Sequence, residues 1–201
     1  MSGLRANKKQ DIIQAATLLF AEQGFDGTTT LQISKEAGIT EPVIYYHFKG
    51  KDDLFTTILS STFDEYFSRL EDLEINTPTE FEKIENLIGL HFQLVEELPD
   101  EIYLTVSTCP ARLKDPGHTC AKNVQKQREW MTSFLVDCLE KGIETGEFNK
   151  VPVTETVSLL IAMINGLIRQ RGLKLEHMAG LKQEAVEFCR RSLVKNEFGH
   201  R

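Results

Sequence analysis

Residues 28–51, TTTLQISKEAGITEPVIYYHFKGK, constrain the fold of this 201-residue chain more than any other stretch. They contain two short amphipathic segments separated by the three residues 38–40. Thr29 and Gln32 have the spacing of a capping box, in which each side chain pairs with a backbone N–H at the start of a helix. Leu31 and Ile33 begin a helical rather than an alternating pattern, so the first segment is predicted to be a helix.

The second segment is predicted to be a helix as well. Gly38 stands where a left-handed residue ends the first helix, and Thr40 is a suitable N-cap for the second. Pro42 is tolerated because it lies in the first helical turn. Ile44 and Phe48 are four residues apart and form a buried pair, which leaves the side chains of Glu41, Val43, Tyr46 and His47 toward solvent. Two helices joined by a short glycine-containing turn are typical of the DNA-binding helix-turn-helix motif.

Residues 7–54 resemble the DNA-binding domain of TetR-type transcriptional repressors. The pattern A-x-x-L-F-x-x-x-G-F of that family is matched by residues 16–25, and I-(A/S)-x-x-A-G-(V/I) by residues 33–39. Its closing pattern, Y-x-(H/Y)-F-x-x-K-x-x-L, is matched by residues 45–54. The remaining three quarters of the chain resemble the family in length and helical character.

The resemblance implies two kinds of DNA contact. Groove-facing positions on the second helix and its entry are implied for Thr40, Glu41, Pro42, Val43, Tyr46 and His47. Among these, Val43 can meet a thymine methyl group and Glu41 can accept from cytosine N4. Contacts to phosphate fit Thr29, Thr30, Tyr45, His47, Lys49 and Lys51. Two alternatives stay open: Tyr45 as a core residue with its hydroxyl at the rim, and Lys49 as a solvated side chain. Many relatives carry Lys or Ser and Gly where this chain has Glu41 and Pro42, so base preference cannot be transferred.

The distribution of charge agrees with a DNA-binding N-terminal part. The whole chain has a formal net charge of −7, which argues against a nucleic-acid partner when taken alone. Residues 1–51 contain six basic and five acidic side chains and carry +1, whereas the rest carries −8. Arg5, Lys8 and Lys9 lie at the start of the first helix, for which Asn7 is the expected N-cap. They form either a solvated terminus or an arm that contacts phosphate.

The rest of the chain is predicted to be helical, so the fold class is all-α. An N-terminal three-helix domain over residues 1–51, with Phe20, Phe25, Ile33, Ile44 and Phe48 as its core, precedes a helical domain over residues 52–201 that binds an effector and dimerises. Further helices are expected over residues 51–73, 78–98, 100–113, 120–144, 155–173 and 181–195. Thr77 and Thr154 are the expected N-caps of two of them.

Dimerisation is assigned to the last two helices, residues 154–173 and 181–195. Ser158, Ala162 and Gly166 are each four residues apart and form a stripe that permits close helix approach. Apolar residues surround that stripe, which implies burial on more than one side. A core helix within one chain gives the same pattern, but the resemblance implies a four-helix dimer interface at this place. A symmetric dimer predicts a palindromic operator.

The resemblance also implies a small-molecule effector site in the C-terminal domain. Aromatic residues, a histidine and a methionine are numerous enough to line such a site: Phe63, Phe67, His91, Phe92, Tyr103, Trp130, Met131 and Phe134. Taken singly, each of them is better explained as a core residue than as a ligand contact. The sequence predicts no cofactor.

Three other functions compete with DNA binding as explanations of the sequence. No nucleophile elbow, phosphate-binding loop or zinc-protease motif is present, so the chain is not expected to be an enzyme. A thiol or metal sensor could be built on Cys109, His118 and Cys120, although structural zinc sites have more closely paired ligands. A helical dimer that binds a small molecule without DNA would explain the acidic charge.

The cellular location follows from the absence of targeting features. Four cysteines without C-x-x-C spacing and no recognisable signal peptide predict a cytoplasmic protein with reduced thiols. The most apolar run, residues 157–168, is too short to span a membrane.

Overall fold

The computed structural model describes residues 2–75, 77–107, 117–172 and 180–195. The described residues form nine helices and no strand, which confirms the all-α prediction. In chain order the helices are α1 Ser2–Gly27, α2 Thr30–Glu36, α3 Glu41–His47, α4 Lys51–Ile75, α5 Glu80–Glu97, α6 Pro99–Ser107, α7 Thr119–Thr145, α8 Val153–Gly172 and α9 Leu181–Leu193. None of these helices is long and apolar enough to cross a membrane.

The chain divides into two compact units, each made of two stretches. The first contains Met1–Glu65 and Leu98–Asn123, and the second contains Tyr66–Glu97 and Val124–Arg201. In the first unit α1 packs against α2 and α6, and α2 packs against α3. The apolar centre of these three N-terminal helices includes Phe20, Ile33, Ile44 and Phe48, as predicted. The fifth predicted core residue, Phe25, is only half-buried and contacts the edge of Phe55.

Helix α1 begins before its predicted N-cap. It begins at Ser2, so Asn7 is not its N-cap; the preceding Leu4, Arg5 and Ala6 are strong helix formers that continue the helix past it. The helix is interrupted at Gly24, which has φ 78° and ψ 163°, and helical geometry resumes after it up to Gly27. Glycine adopts this backbone conformation without the steric cost that a Cβ would add.

In the second unit, α5 packs against both α8 and α9. The predicted N-cap of α5, Thr77, is wrong: its hydroxyl donates to the Leu73 carbonyl, and the helix begins only at Glu80. Thr79 takes the capping role by accepting from Glu82 N at 3.2 Å. The Glu147 carboxylate also accepts from Phe81 N at 2.8 Å, so an acid distant in sequence satisfies the first turn.

Helix α8 also begins earlier than predicted. Thr156 N donates to the Pro152 carbonyl at 3.0 Å, which places the first turn at Val153 and leaves Thr154 inside the helix rather than as its N-cap. The predicted helix over residues 100–113 is described as far as Ser107, and the remainder of that prediction lies outside the described residues.

Candidate nucleic-acid interface and effector region

The threonine-rich segment before α2 is hydrogen-bonded to α1. The buried Thr28 hydroxyl lies 3.1 Å from the Leu19 carbonyl and 2.8 Å from the Gly24 carbonyl. Thr29 and Gln32 form the predicted capping box, with Thr29 N donating to Gln32 Oε1 at 2.8 Å and Thr29 Oγ1 accepting from Gln32 N. The start of α2 is therefore fixed by local hydrogen bonds and by the body of α1.

Helix α3 presents one face to the core and the other to solvent. Ile44 and Phe48 are buried, as predicted, and Gly38 has the expected left-handed φ of 64° in the turn before it. Thr40 is the N-cap residue by backbone conformation, but its side chain makes no capping hydrogen bond. Tyr45 and Tyr46 are 55% and 68% exposed, so two neighbouring aromatic side chains are available to a binding partner. The rim alternative for Tyr45 is therefore wrong.

The predicted groove-facing residues other than Tyr46 lie on both sides of the two tyrosines in the sequence. Thr40 and Pro42 are exposed, whereas Val43 and His47 are half-buried. The His47 ring meets the Tyr46 ring edge-on, with 4.9 Å between centroids. DNA contact is predicted for Thr29, Thr30 and residues 40–47 without the buried Ile44, and we call these residues the DNA-contact surface.

Three polar side chains link α2 to α3 on this surface. The Thr30 hydroxyl donates to Glu41 Oε1 at 2.5 Å, and the Tyr45 hydroxyl lies 3.3 Å from Thr30 Oγ1. Glu41 is half-buried as a result, although the sequence predicts that it points to solvent.

The two lysines after α3 have different surroundings. Lys49 is exposed, and its backbone N–H donates to Asp53 Oδ2 at 2.8 Å. Lys51 is half-buried, and its ammonium group donates to the carbonyls of Phe25 at 2.7 Å and Thr28 at 3.0 Å. Lys51 Nζ also lies 4.4 Å from the centroid of the Phe25 ring. A phosphate contact by Lys51 stays a prediction, and the structure adds an internal role that the sequence did not indicate.

The basic side chains at the start of α1 are described in part. Lys8 and Lys9 are exposed, and Lys9 Nζ lies 5.7 Å from the centre of the Phe48 ring. The weak contact leaves the charge of Lys9 in solvent beside the C-terminal end of α3, where it is available to an anion.

The predicted effector residues fall in both units. Phe63 and Tyr103 belong to the first unit, and the other six belong to the second. Five of the eight are buried: Phe63, Phe67, His91, Met131 and Phe134. Trp130 is half-buried and stacks on Phe134 with ring centroids 4.8 Å apart. Phe92 and Tyr103 are also half-buried.

Three polar side chains are linked by hydrogen bonds in the second unit, and one of them, His91, was predicted from the sequence as an effector residue. His91 Nδ1 lies 2.7 Å from the Leu87 carbonyl and therefore carries the proton, which leaves Nε2 to accept from the Tyr66 hydroxyl at 3.2 Å. Gln127 hydrogen-bonds Tyr66, and it also lines an open groove of about 480 Å³ between α7 and α8 together with Met131. Tyr66 was missed because it continues the apolar pattern of α4, in which its hydroxyl gives no periodic signal.

Burial controls the ionisation of Tyr66 and His91. It raises the pKa of Tyr66 well above its usual value, an effect that the Gln127 hydrogen bond opposes. It lowers the pKa of His91 to about 4, against the smaller opposite effect of the Leu87 carbonyl. Both groups are therefore neutral at physiological pH, which suits a hydrogen-bonded chain in an apolar core.

Acid is expected to destabilise the second unit through His91. Because the folded-state pKa of about 4 lies below the ordinary 6.5, the stabilisation is fully present above pH 6.5 and is lost as the pH falls toward 4. The lowered pKa corresponds to about 3 kcal/mol of unfolding free energy across that window. His91→Gln, which keeps an acceptor for Tyr66 but cannot gain a proton, should flatten the pH dependence of urea unfolding. If the unfolding free energy of that variant depends on pH as steeply as that of the wild-type protein, His91 is not the group responsible.

An apolar groove lies between the two helices predicted to dimerise. It has a volume of about 690 Å³ and is lined mainly by α8 and α9. Leu159 and Phe188 border it and are 71% and 57% exposed. Ser158, Ala162 and Gly166 are also exposed along α8. Val157, Leu160 and Ile164 of α8 are buried within the chain. The apolar surface around Leu159 is exposed in a single chain.

The cysteine-based alternative is described for two of its three residues. His118 Nδ1 accepts from Cys120 N at 3.1 Å, and Cys120 is buried, whereas Cys109 lies outside the described residues. No group of three potential metal ligands occurs among the described residues. Burial raises the pKa of Cys138 to about 12 and that of Cys189 to about 11, so neither thiol is reactive at neutral pH.

The chain is similar in sequence to known transcriptional regulators. Residues 12–58 match the family described as bacterial regulatory proteins, tetR family. Over 148 residues the chain is 26% identical to the HTH-type transcriptional repressor KstR2 of Mycobacterium tuberculosis, covering 74% of this chain and 72% of the relative. It is also 26% identical over 143 residues to the fatty acid metabolism regulator protein of Bacillus subtilis, covering 71% and 72%.

Solved structures share the fold over nearly the whole chain. The ketosteroid transcriptional regulator KstR2 of Mycobacterium tuberculosis superposes with a TM-score of 0.77 and 21% identity, covering 94% of this chain and 95% of that one. The regulator FadR of Bacillus subtilis, in complex with stearoyl-CoA, has a TM-score of 0.67 and 21% identity, with coverage of 89% and 96%. The resemblance in helix order therefore extends beyond the N-terminal domain.

Proposed function

Since the chain is a DNA-binding transcriptional regulator of the TetR family, we propose that it represses transcription as a homodimer on a palindromic operator and releases that operator when an effector binds. Residues 1–51 contact DNA, and residues 52–201 bind the effector and dimerise. The observation that carries the proposal is the pair of exposed tyrosines, Tyr45 and Tyr46, on a short helix whose other face is buried.

The length of α3 sets the size of the site. Seven residues span roughly 10 Å, which suffices for one half-site of ~4–6 base pairs in the major groove. One such contact is too weak for specific binding in a genome, and affinities of ~10⁻⁸–10⁻¹¹ M call for two half-sites. A symmetric pair of chains supplies them and acts in the cytoplasm, where the DNA is.

The groove between α8 and α9 supports the proposed dimer contact. Leu159 and Phe188 expose large apolar surfaces beside the small side chains of Ser158, Ala162 and Gly166. In a two-fold arrangement the small residues allow two copies of α8 to approach closely, while each Phe188 enters the groove of the partner. Burial of this surface removes the apolar patch from water.

We infer that the effector is a large lipid-derived molecule, and a long-chain acyl-CoA is the first candidate. The similarity to a fatty acid metabolism regulator and to a structure with stearoyl-CoA supports this class. The second unit supplies aromatic and Met side chains together with the hydrogen-bonded groups Gln127, Tyr66 and His91, of which Tyr66 and His91 are buried. Such a combination suits a ligand with a long apolar part and a single carbonyl.

The test is selection of bound sequences from random duplex DNA by the purified dimer at stated salt. We expect a palindromic motif, affinity that falls steeply with salt, and an approximately tenfold loss in Tyr46→Ala. Leu18→Ala, which truncates a partly exposed apolar residue of α1 outside the DNA-contact surface, is the matched control. On the selected operator, stearoyl-CoA should release the protein without dissociating the dimer.

The outcomes separate the alternatives. A folded dimer that selects no sequence at low salt contradicts the DNA-binding proposal and favours a helical ligand-binding dimer. A motif without release by stearoyl-CoA retains the regulator and excludes only this effector. Operator binding that responds to zinc or to thiol oxidation would instead support the sensor built on Cys109, His118 and Cys120.

A further inference from the structure

The carboxylate of Glu41 has an arrangement that the DNA-binding function alone does not explain. Glu41 is the first residue of α3, and its Oε1 receives the Thr30 hydroxyl at 2.5 Å. Within the part of the chain that the structure describes, no donor reaches its other oxygen, Oε2. A negative charge held on the DNA-contact surface, close to where phosphates would lie, lowers affinity for DNA unless the carboxylate finds a donor there.

The hydrogen bonds of the Thr30 hydroxyl indicate that this residue positions Glu41. A threonine hydroxyl has one proton, and that of Thr30 is directed at Glu41. The sequence predicts that Thr30 contacts a phosphate. While its proton is directed at Glu41, however, Thr30 cannot donate to a phosphate. The Tyr45 hydroxyl lies 3.3 Å from Thr30 Oγ1 and can donate to it. Thr30 is therefore a positioning residue that holds the Glu41 carboxylate in one rotamer before DNA arrives.

The chemistry of a carboxylate then restricts the base that it faces. An ionised carboxylate only accepts hydrogen bonds. In the major groove guanine presents two acceptors and thymine presents an acceptor and a methyl group, so both disfavour it. Adenine offers N6–H₂ beside the N7 acceptor, which repels the second carboxylate oxygen. Cytosine offers N4–H₂ without a neighbouring acceptor on the same base.

We propose that Glu41, positioned by Thr30, determines one base of the operator: a cytosine, paired with guanine, at one position of each half-site. The proposal rests on the DNA-binding function proposed above and specifies what that site recognises. Because the side chain is ordered before binding, little rotamer entropy is lost when Oε2 accepts from cytosine N4.

The experiment compares the bound-sequence motifs of the wild-type protein and four variants, each checked for folding by circular dichroism. Glu41→Ala should lose the cytosine preference at that position alone, with discrimination reduced about tenfold, while the other positions are kept. Glu41→Gln should shift that position toward adenine, whose N6 and N7 match an amide. Thr30→Val should weaken the cytosine preference without replacing it.

Glu36→Gln is the control for charge, because it removes an exposed carboxylate of α2 and should leave the motif unchanged. A wild-type motif without a conserved cytosine in each half-site overturns the proposal, as does a Glu41→Ala motif identical to the wild-type one. Both results leave the repressor function intact. Selection of no motif by the wild-type protein is a different failure, since it removes the DNA-binding function itself and this proposal with it.

Discussion

The double variant in which aspartate replaces both Leu159 and Phe188 is expected to be monomeric. Its operator affinity is expected to be about a thousandfold lower. Both side chains are largely exposed in one chain and border the α8–α9 groove. Four buried carboxylates in a two-fold interface would be unpaired charges, and their desolvation opposes association. Sedimentation equilibrium and operator titration measure the two effects.

The same double variant should keep its thermal stability as a monomer, because neither side chain belongs to the core of one chain. Leu18→Asp is the matched control, since it adds an acid at a partly exposed leucine of α1 and should leave the dimer intact. A double variant that remains dimeric would show that another surface holds the two chains together.

Lys51→Met is expected to lower the unfolding free energy by about 2–3 kcal/mol and to weaken operator binding through loss of the folded N-terminal helices. Methionine keeps the apolar stem over the Phe25 ring, whereas the Phe25 and Thr28 carbonyls lose a charged donor. Lys49→Met, two residues away at an exposed position, should change stability by less than about 0.5 kcal/mol. Urea unfolding measures both variants.

The alternative role of Lys51 gives a different result. If its ammonium group acts only on phosphate, Lys51→Met will unfold like the wild-type protein and will reduce the slope of affinity against salt by about one. A fully stable variant with that reduced slope would therefore contradict the internal role. Lys51→Ala alone could not distinguish the two, because it removes the Phe25 contact as well.

Local chemistry made the helix-turn-helix largely predictable. The capping box of Thr29 and Gln32 and the left-handed Gly38 occur where the residue types indicated. These features depend on side chains that bond or pack within one turn of their own helix. Helix ends elsewhere were harder to predict: α5 begins after Thr79 rather than Thr77, because the two threonines on either side of Pro78 offer competing caps.

Periodicity and capping act over three or four residues, so the all-α class, the helix-turn-helix and the inward faces of its helices could be predicted from local patterns. The partners of polar side chains depend on how separate helices pack together. Thr30 bonds Glu41 eleven residues away, Tyr66 meets His91 twenty-five residues away, and Lys51 reaches the carbonyl of Phe25 across twenty-six. A periodic pattern states which face of a helix is apolar, but it does not state which helix packs there. The partner of a buried hydroxyl, imidazole or ammonium group is fixed only when separate helices come together.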